Sequence, residues 1–185
     1  KSGASPAQLK GLQDKGILVV KKMAVDRIRT LPKDVQIDFS LSAAQAQALE
    51  EVQRVLEEKM VCLLHGVTSS GKTQVYVSLI ESFMKTGGQV LYLLPEIALT
   101  SQVIRRLEKH FGGHIAIYHS KFNPNERVEI WNKVKEGKVS IVLGARSSLF
   151  LPFQDLRLVV CDEEHDPSYK QQDPAPRYHA RDAAI

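Results

Sequence analysis

From residue 39 onward, short apolar runs alternate with longer segments whose apolar residues recur every three or four positions. The runs Val61–His65, Gln89–Leu94, Ile115–Tyr118, Ser140–Leu143 and Leu156–Cys161 predict strands, and the segments 43–58, 72–85, 101–110 and 125–136 predict helices between them. Strands that alternate with helices at this spacing give a mostly parallel sheet covered on both faces, an α/β fold. Two helix starts are specified residue by residue. Ser42 and Gln45 form a capping box, and Asn123-Pro124-Asn125-Glu126 supplies a cap, a proline at the first helical position and an acid at the third. Repeats and low-complexity tracts are absent.

The front of the chain has a different texture. Residues 5–18 combine a Ser-Pro start, a short helical pattern through Leu9 and Leu12, and a glycine stop at Gly16. The following run, ILVVKKMAVDRI, has the composition of strand-pairing material interrupted at Lys21 and Lys22. One helix and one or two strands cannot bury both sides of a domain, so the front piece is expected to belong to something larger.

At 185 residues and 43% hydrophobic composition, the chain can bury one substantial core and a small appendage. Its net charge of +4 comes from residues 1–38, which hold eight Lys or Arg against four acids, whereas residues 39–185 are balanced at seventeen of each. That surplus fits phosphate contacts and fits a solvated basic face equally well. Neither a secretory signal pattern nor an apolar stretch of about 18 residues is present, which predicts a cytoplasmic protein with no membrane contact. Cys62 and Cys161 lie inside apolar runs and read as buried thiols, and no Cys/His spacing suggests structural zinc.

The strongest chemical signal is Gly66-Val-Thr-Ser-Ser-Gly71-Lys72-Thr73, the full G-x-x-x-x-G-K-[ST] pattern, placed after an apolar run and before a helix. In such a loop the backbone from Gly66 through Thr68, Ser69, Ser70 and Gly71 turns its amides toward phosphate oxygens, aided by the helix N-terminus. Lys72 would reach the β- and γ-phosphates of ATP, and Thr73 would bind Mg²⁺. The second signal is Asp162-Glu163-Glu164-His165, directly after an apolar strand, where an open sheet binds its ligands. Asp162 would hold the magnesium and Glu163 would orient and activate the attacking water. A carboxylate string alone could be a solvated turn. With a phosphate loop 90 residues earlier, the pair reads as a hydrolytic site, with Lys72, Asp162 and Glu163 as its catalytic residues. His165 is a candidate for coupling hydrolysis to a second ligand.

Several further stretches carry a resemblance. They are GVTSSGKTQVY at 66–76, LLPEIALTSQ at 93–102, Tyr118-His-Ser120 with Glu126-Arg127 and Trp131, GARSSLFLPF at 144–153, DEEHDPSYKQQ at 162–172 and RYHARD at 177–182. Together they resemble the bacterial replication-restart helicases, the PriA family of superfamily 2. The resemblance implies a RecA-like P-loop lobe at 37–185, preceded at 1–36 by the end of a winged-helix DNA-binding domain with its linker. It also implies ATP-driven 3′ to 5′ movement on single-stranded DNA at forks, with single-stranded DNA-binding protein and helicase-loading proteins as partners, by a monomer.

Carried over residue by residue, Thr100 in PEIALT and Arg146 and Ser147 in GARS would line a single-stranded DNA track. Helix capping by Thr100 is compatible with that role, and Arg146 could instead make a structural ion pair. In the 166–182 loop, Tyr169 and Tyr178 could stack on bases while Lys170, Arg177 and Arg181 meet phosphates; the tyrosines could equally pack the loop against its own lobe. Some relatives carry a tryptophan in this loop where this chain reads Asp173-Pro-Ala-Pro176. Gln45 could recognise adenine as well as cap its helix.

A superfamily 2 motor closes ATP between two lobes, and an arginine finger from the second can be worth about 10³ to 10⁵ in rate. The chain alone is therefore expected to hydrolyse ATP poorly and to separate no strands. Two other readings stay open. One is a binding or assembly module with a regulatory P-loop, disfavoured by the need for both Asp162 and Glu163; the other is a duplex translocase, which blunt and forked DNA would activate equally.

Overall fold

A computed structural model of the chain describes residues 5–19, 40–67, 70–96 and 102–185. Thr68, Ser69, Thr100 and most of the run ILVVKKMAVDRI lie outside the described residues. The elements in chain order are α1 (Pro6–Asp14), α2 (Ala43–Glu58), α3 (Lys72–Lys85), β1 (Gln89–Leu93), α4 (Gln102–Phe111), β2 (Ile115–Tyr118), α5 (Pro124–Lys135), β3 (Ile141–Gly144), β4 (Leu156–Cys161) and α6 (Ala180–Ala183). Among the described residues no helix is long and apolar enough to cross a membrane.

The capping residues act as their chemistry dictates. Ser42 accepts from the Gln45 amide while Gln45 Oε1 accepts from Ser42 N at 2.9 Å, and Asn123 accepts from the amides of Asn125 and Glu126 ahead of Pro124. Helix α1 begins the same way at Ser5-Pro6 and is followed by a left-handed Gly16. It buries none of its residues.

Among the described residues the four strands are all parallel, in the order β2-β3-β1-β4. Strand β1 lies inside the sheet and buries all five of its residues. Successive residues of a strand face opposite sides. Val90 and Tyr92 thus join Ile141, Leu143 and Val160 in a cluster packed by α2, α3 and α4, whereas Leu91 and Leu93 join Val142, Ile130 and Val134 beneath α5. From β1 the chain crosses to β2, returns to β3 and then appears beyond β1 as β4. That reversal makes the C-terminal ends of β1 and β4 a switch point, where an open α/β sheet places its ligand crevice.

The predicted strand Val61–His65 is corrected. The segment has no ladder partner among the described residues. It nevertheless has two faces, with Cys62 and Leu64 against the first cluster and Met60 and Leu63 turned to solvent. Alternation in sequence reports which side chains turn inward and is silent on whether a neighbouring strand is present to pair.

One buried polar group ties the sheet to its connections. Gln89, 5% exposed, donates from Nε2 to the carbonyls of Val134 and Val139 at 3.1 and 3.0 Å, and its Oε1 accepts from the Gln154 amide at 2.7 Å. Cys62 and Cys161 are free and half-buried, and burial pushes the Cys161 thiol up to about 11, which keeps it protonated and unreactive.

Candidate nucleotide site and nucleic-acid face

Gly71, which leads into α3, has a left-handed φ of 87° that favours glycine. A Cβ there would also overlap the Gln45 side-chain amide. Gln45 Nε2 donates to the Gly71 carbonyl at 3.3 Å while its Oε1 caps α2. Both ends of this amide are thus engaged by protein, and it acts as a brace between α2 and the phosphate loop. Lys72, the first residue of α3, donates from Nζ to Gly66 O at 2.6 Å and Val67 O at 3.2 Å, so both carbonyls converge on the ammonium.

Ser70 through Gln74 line a cleft of about 310 Å³ with Val103 and Arg106 of α4 and with Asp162 and Glu163 beyond β4. The phosphate loop and the acidic pair, far apart in sequence, therefore meet in one place. Asp162 is 8% exposed. Its Oδ2 accepts from the Tyr92 hydroxyl at 2.9 Å and its Oδ1 from the Glu163 amide at 3.1 Å, while its main-chain carbonyl accepts from the Tyr169 hydroxyl at 2.6 Å. Burial raises the Asp162 carboxyl above its ordinary value, against the opposing pull of the Tyr92 bond. Glu163 has φ of 50°, a left-handed conformation that costs a non-glycine residue of order 1–3 kcal/mol. That turn sends the second carboxylate out of the strand direction and into the cleft lining.

The residues present suit a magnesium nucleotide. Among the described residues no three His, Cys, Asp or Glu cluster as a self-sufficient metal site. Magnesium is usually held by one or two protein ligands with phosphate oxygens and water, and Thr73 and Asp162 both face the cleft. Gln74 Oε1 is buried in this lining without a protein partner, as an acceptor reserved for a ligand or its water would be.

The face expected to meet DNA is partly corrected. Tyr169 is 1% exposed and donates its hydroxyl to Asp162, so it is a core residue and has no ring face to offer a base. Among the described residues Arg146 pairs with no acid; its Nη1 donates to the carbonyls of Ser168 and Lys170 at 3.1 and 2.9 Å and struts the 166–182 loop. Lys170 Nζ donates to Arg177 O at 2.6 Å, and Arg181 is paired with Glu164 at 2.7 Å and Asp182 at 3.0 Å. Neither cation is idle, and a phosphate would have to compete for each. Tyr178 is half-buried, with its ring edge-to-face with Phe150 at 5.0 Å. Ser147, His165 and Arg177 are exposed, and His165 Nε2 lies 3.7 Å from Glu163 Oε2.

Sequence reasoning missed Tyr92, Gln74, Arg106 and Phe150. Tyr92 had a usable signal, because a tyrosine inside the fully apolar run Val-Leu-Tyr-Leu-Leu must find its hydroxyl a partner. Arg106 stands one helical turn beyond Val103, on the flank of α4 that meets the cleft.

Residues 42–183 match the family model described as DEAD/DEAH box helicase. The chain belongs to the DEAD/DEAH box helicase family. In this helicase chain the box reads Asp-Glu-Glu-His at 162–165. The chain is similar to the replication restart protein PriA of Bacillus subtilis, at 38% identity over all of this chain and 23% of that protein. Its likeness to PriA of Haemophilus influenzae is 49% identity over 82% of this chain and 21% of that protein, and to PriA of Chlamydia trachomatis 41% over 79% and 20%. The chain thus spans between a fifth and a quarter of the length of the curated relatives it matches.

Proposed function

We propose that this chain is the ATP-binding half of a DNA helicase motor that restarts replication at abandoned forks, moving 3′ to 5′ on single-stranded DNA. The observation that carries the reading is the meeting of Lys72, Thr73, Asp162 and Glu163 in one cleft at the sheet's switch point. The similarity to replication restart proteins supports the place of action.

Within the cleft, the α3 N-terminus and Lys72 bind and neutralise phosphate charge, and Thr73 and Asp162 supply the protein ligands for magnesium. A magnesium ion held by these residues would supply Lewis-acid stabilisation of phosphoryl oxygens. Glu163 orients the attacking water and takes its proton at a carboxylate oxygen. Gln45 braces the loop that holds the phosphates, and adenine contact would require it to exchange one of its present bonds. Thr68, Ser69 and Ser70 contribute loop groups to the nucleotide, and Thr100 contributes to the DNA track.

The DNA side of the reading rests on Ser147, Arg177, Tyr178 and His165, with Arg146 and Tyr169 acting from behind as supports of the loop. A second lobe completes the hydrolytic site, so the chain alone turns over ATP slowly. The front residues 1–36 belong to a winged-helix domain in this reading. The complete protein works as a monomer in the bacterial cytoplasm with single-stranded DNA-binding protein and helicase loaders.

Strand separation by the complete natural protein tests the polarity. Duplexes with a 3′ single-stranded tail on the translocating strand should be opened with ATP, and duplexes with only a 5′ tail should not. Equal opening of both would contradict it.

A further inference from the structure

The carboxylate of Asp162 is fixed from behind by a group outside the nucleotide loop. Both of its oxygens are occupied on the protein side, Oδ2 by the Tyr92 hydroxyl at 2.9 Å and Oδ1 by the Glu163 amide at 3.1 Å. The terminal torsion of an aspartate is otherwise broad, so two bonds at different oxygens define the plane of the group. A carboxylate offers about four acceptor sites, which leaves lone pairs free for a cation after both bonds are made.

Tyr92 is itself enclosed. It is fully buried near the C-terminal end of β1, in register with Val160 of β4 and Leu143 of β3. Its ring meets that of Tyr76 edge-on, with centroids 5.8 Å apart at 83°. Tyr76 lies one turn beyond Lys72 on α3, so the ring pair links the helix that begins at the phosphate loop to the acid at the end of β4. A hydroxyl needed only for solubility has no place in this layer. Phenylalanine would fill the same volume without a polar atom to satisfy.

We infer that Tyr92 is a positioning residue for metal binding, holding the Asp162 carboxylate in the orientation that receives magnesium with the nucleotide. The inference rests on the reading of Asp162 as a magnesium ligand. Groups that hydrogen-bond a metal-ligating carboxylate typically change metal affinity or activity about 10- to 100-fold when removed.

The test uses the complete natural protein and the fluorescent analogue methylanthraniloyl-ADP, with Mg²⁺ varied at fixed nucleotide. Tyr92→Phe should raise the Mg²⁺ concentration for half-maximal binding by about tenfold, leave binding in chelator unchanged, and regain wild-type binding at high Mg²⁺. Tyr169→Phe removes a buried hydroxyl from the main-chain carbonyl of the same Asp162 and should leave the Mg²⁺ midpoint in place. Thermal melting of each variant verifies that it is folded. A wild-type midpoint in Tyr92→Phe beside a raised one in Asp162→Asn would overturn the inference, as would equal rises in Tyr92→Phe and Tyr169→Phe. An unaltered midpoint in Asp162→Asn would instead remove the reading on which it stands.

Discussion

Replacing Gly71 with alanine tests how the phosphate loop is held. The new side chain meets two separate obstacles. At φ of 87° an L-residue is in left-handed territory, which costs about 1–2 kcal/mol. Its Cβ also overlaps Gln45 Nε2, so the amide must leave the Gly71 carbonyl and disturb its bond to Ser42 N. Two such bonds are worth together about 1–3 kcal/mol. The expected loss for Gly71→Ala is therefore about 2–5 kcal/mol, a sizeable share of a native stability of about 5–15 kcal/mol. Gln45→Ala alone should cost about 1–3 kcal/mol. In the double variant the overlap is gone and the two Gln45 bonds are lost once rather than twice, so its loss should fall short of the sum of the singles by about 1–3 kcal/mol. Urea denaturation of the four proteins measures this directly. Additivity within about 0.5 kcal/mol, or a Gly71→Ala variant as stable as the parent, would refute the brace between α2 and the loop.

Three other substitutions probe different parts of the account. Gln89→Leu leaves the carbonyls of Val134 and Val139 and the Gln154 amide without their partner, and should cost about 3–5 kcal/mol in denaturant unfolding. Glu163→Gln should retain magnesium-nucleotide binding while ATP turnover by the complete protein falls about 10²- to 10⁴-fold, measured by phosphate release; a fall in binding of the same size would remove its role as base. His119 is stacked on Phe122 at 4.0 Å, and burial, with the Lys121 charge next, lowers its pKa below the ordinary 6.5. Its contribution is present above pH 6.5 and is lost as pH falls through the lower folded value. The melting temperature should therefore drop between pH 7 and pH 5, and less so in His119→Phe.

What was legible in the sequence was what is encoded locally. Ser42 with Gln45, and Asn123 with Pro124 and Glu126, fix helix starts through contacts within four residues, and those starts are found where they were expected. The glycine turn before α3 and the acids at the end of β4 were likewise placed by their immediate neighbours, and they line one cleft. What escaped depends on tertiary partners, most of them far along the chain. Val61–His65 alternates as a strand does, yet pairing requires a neighbour that no local pattern names. Tyr169 and Arg146 sit among aromatic and basic residues that suggest a nucleic-acid surface. Their actual partners are the Asp162 carbonyl, 7 residues from Tyr169, and the Ser168 and Lys170 carbonyls, 22 and 24 residues from Arg146. Tyr92 meets Asp162 across 70 residues and Gln89 meets Val134 across 45. Such bonds follow from the order of strands in the sheet, which the period of the pattern does not determine.

The central claim is that the cleft between the phosphate loop and Asp162-Glu163 drives a motor that responds to DNA at forks. Steady-state ATP turnover by the complete natural protein, with forked, single-stranded and blunt duplex DNA and beside Lys72→Ala, tests it most directly. Strong stimulation by forked or single-stranded DNA, weak stimulation by blunt duplex and near-silence of Lys72→Ala are the predicted result. Equal stimulation by blunt duplex, or turnover indifferent to any DNA, would contradict it.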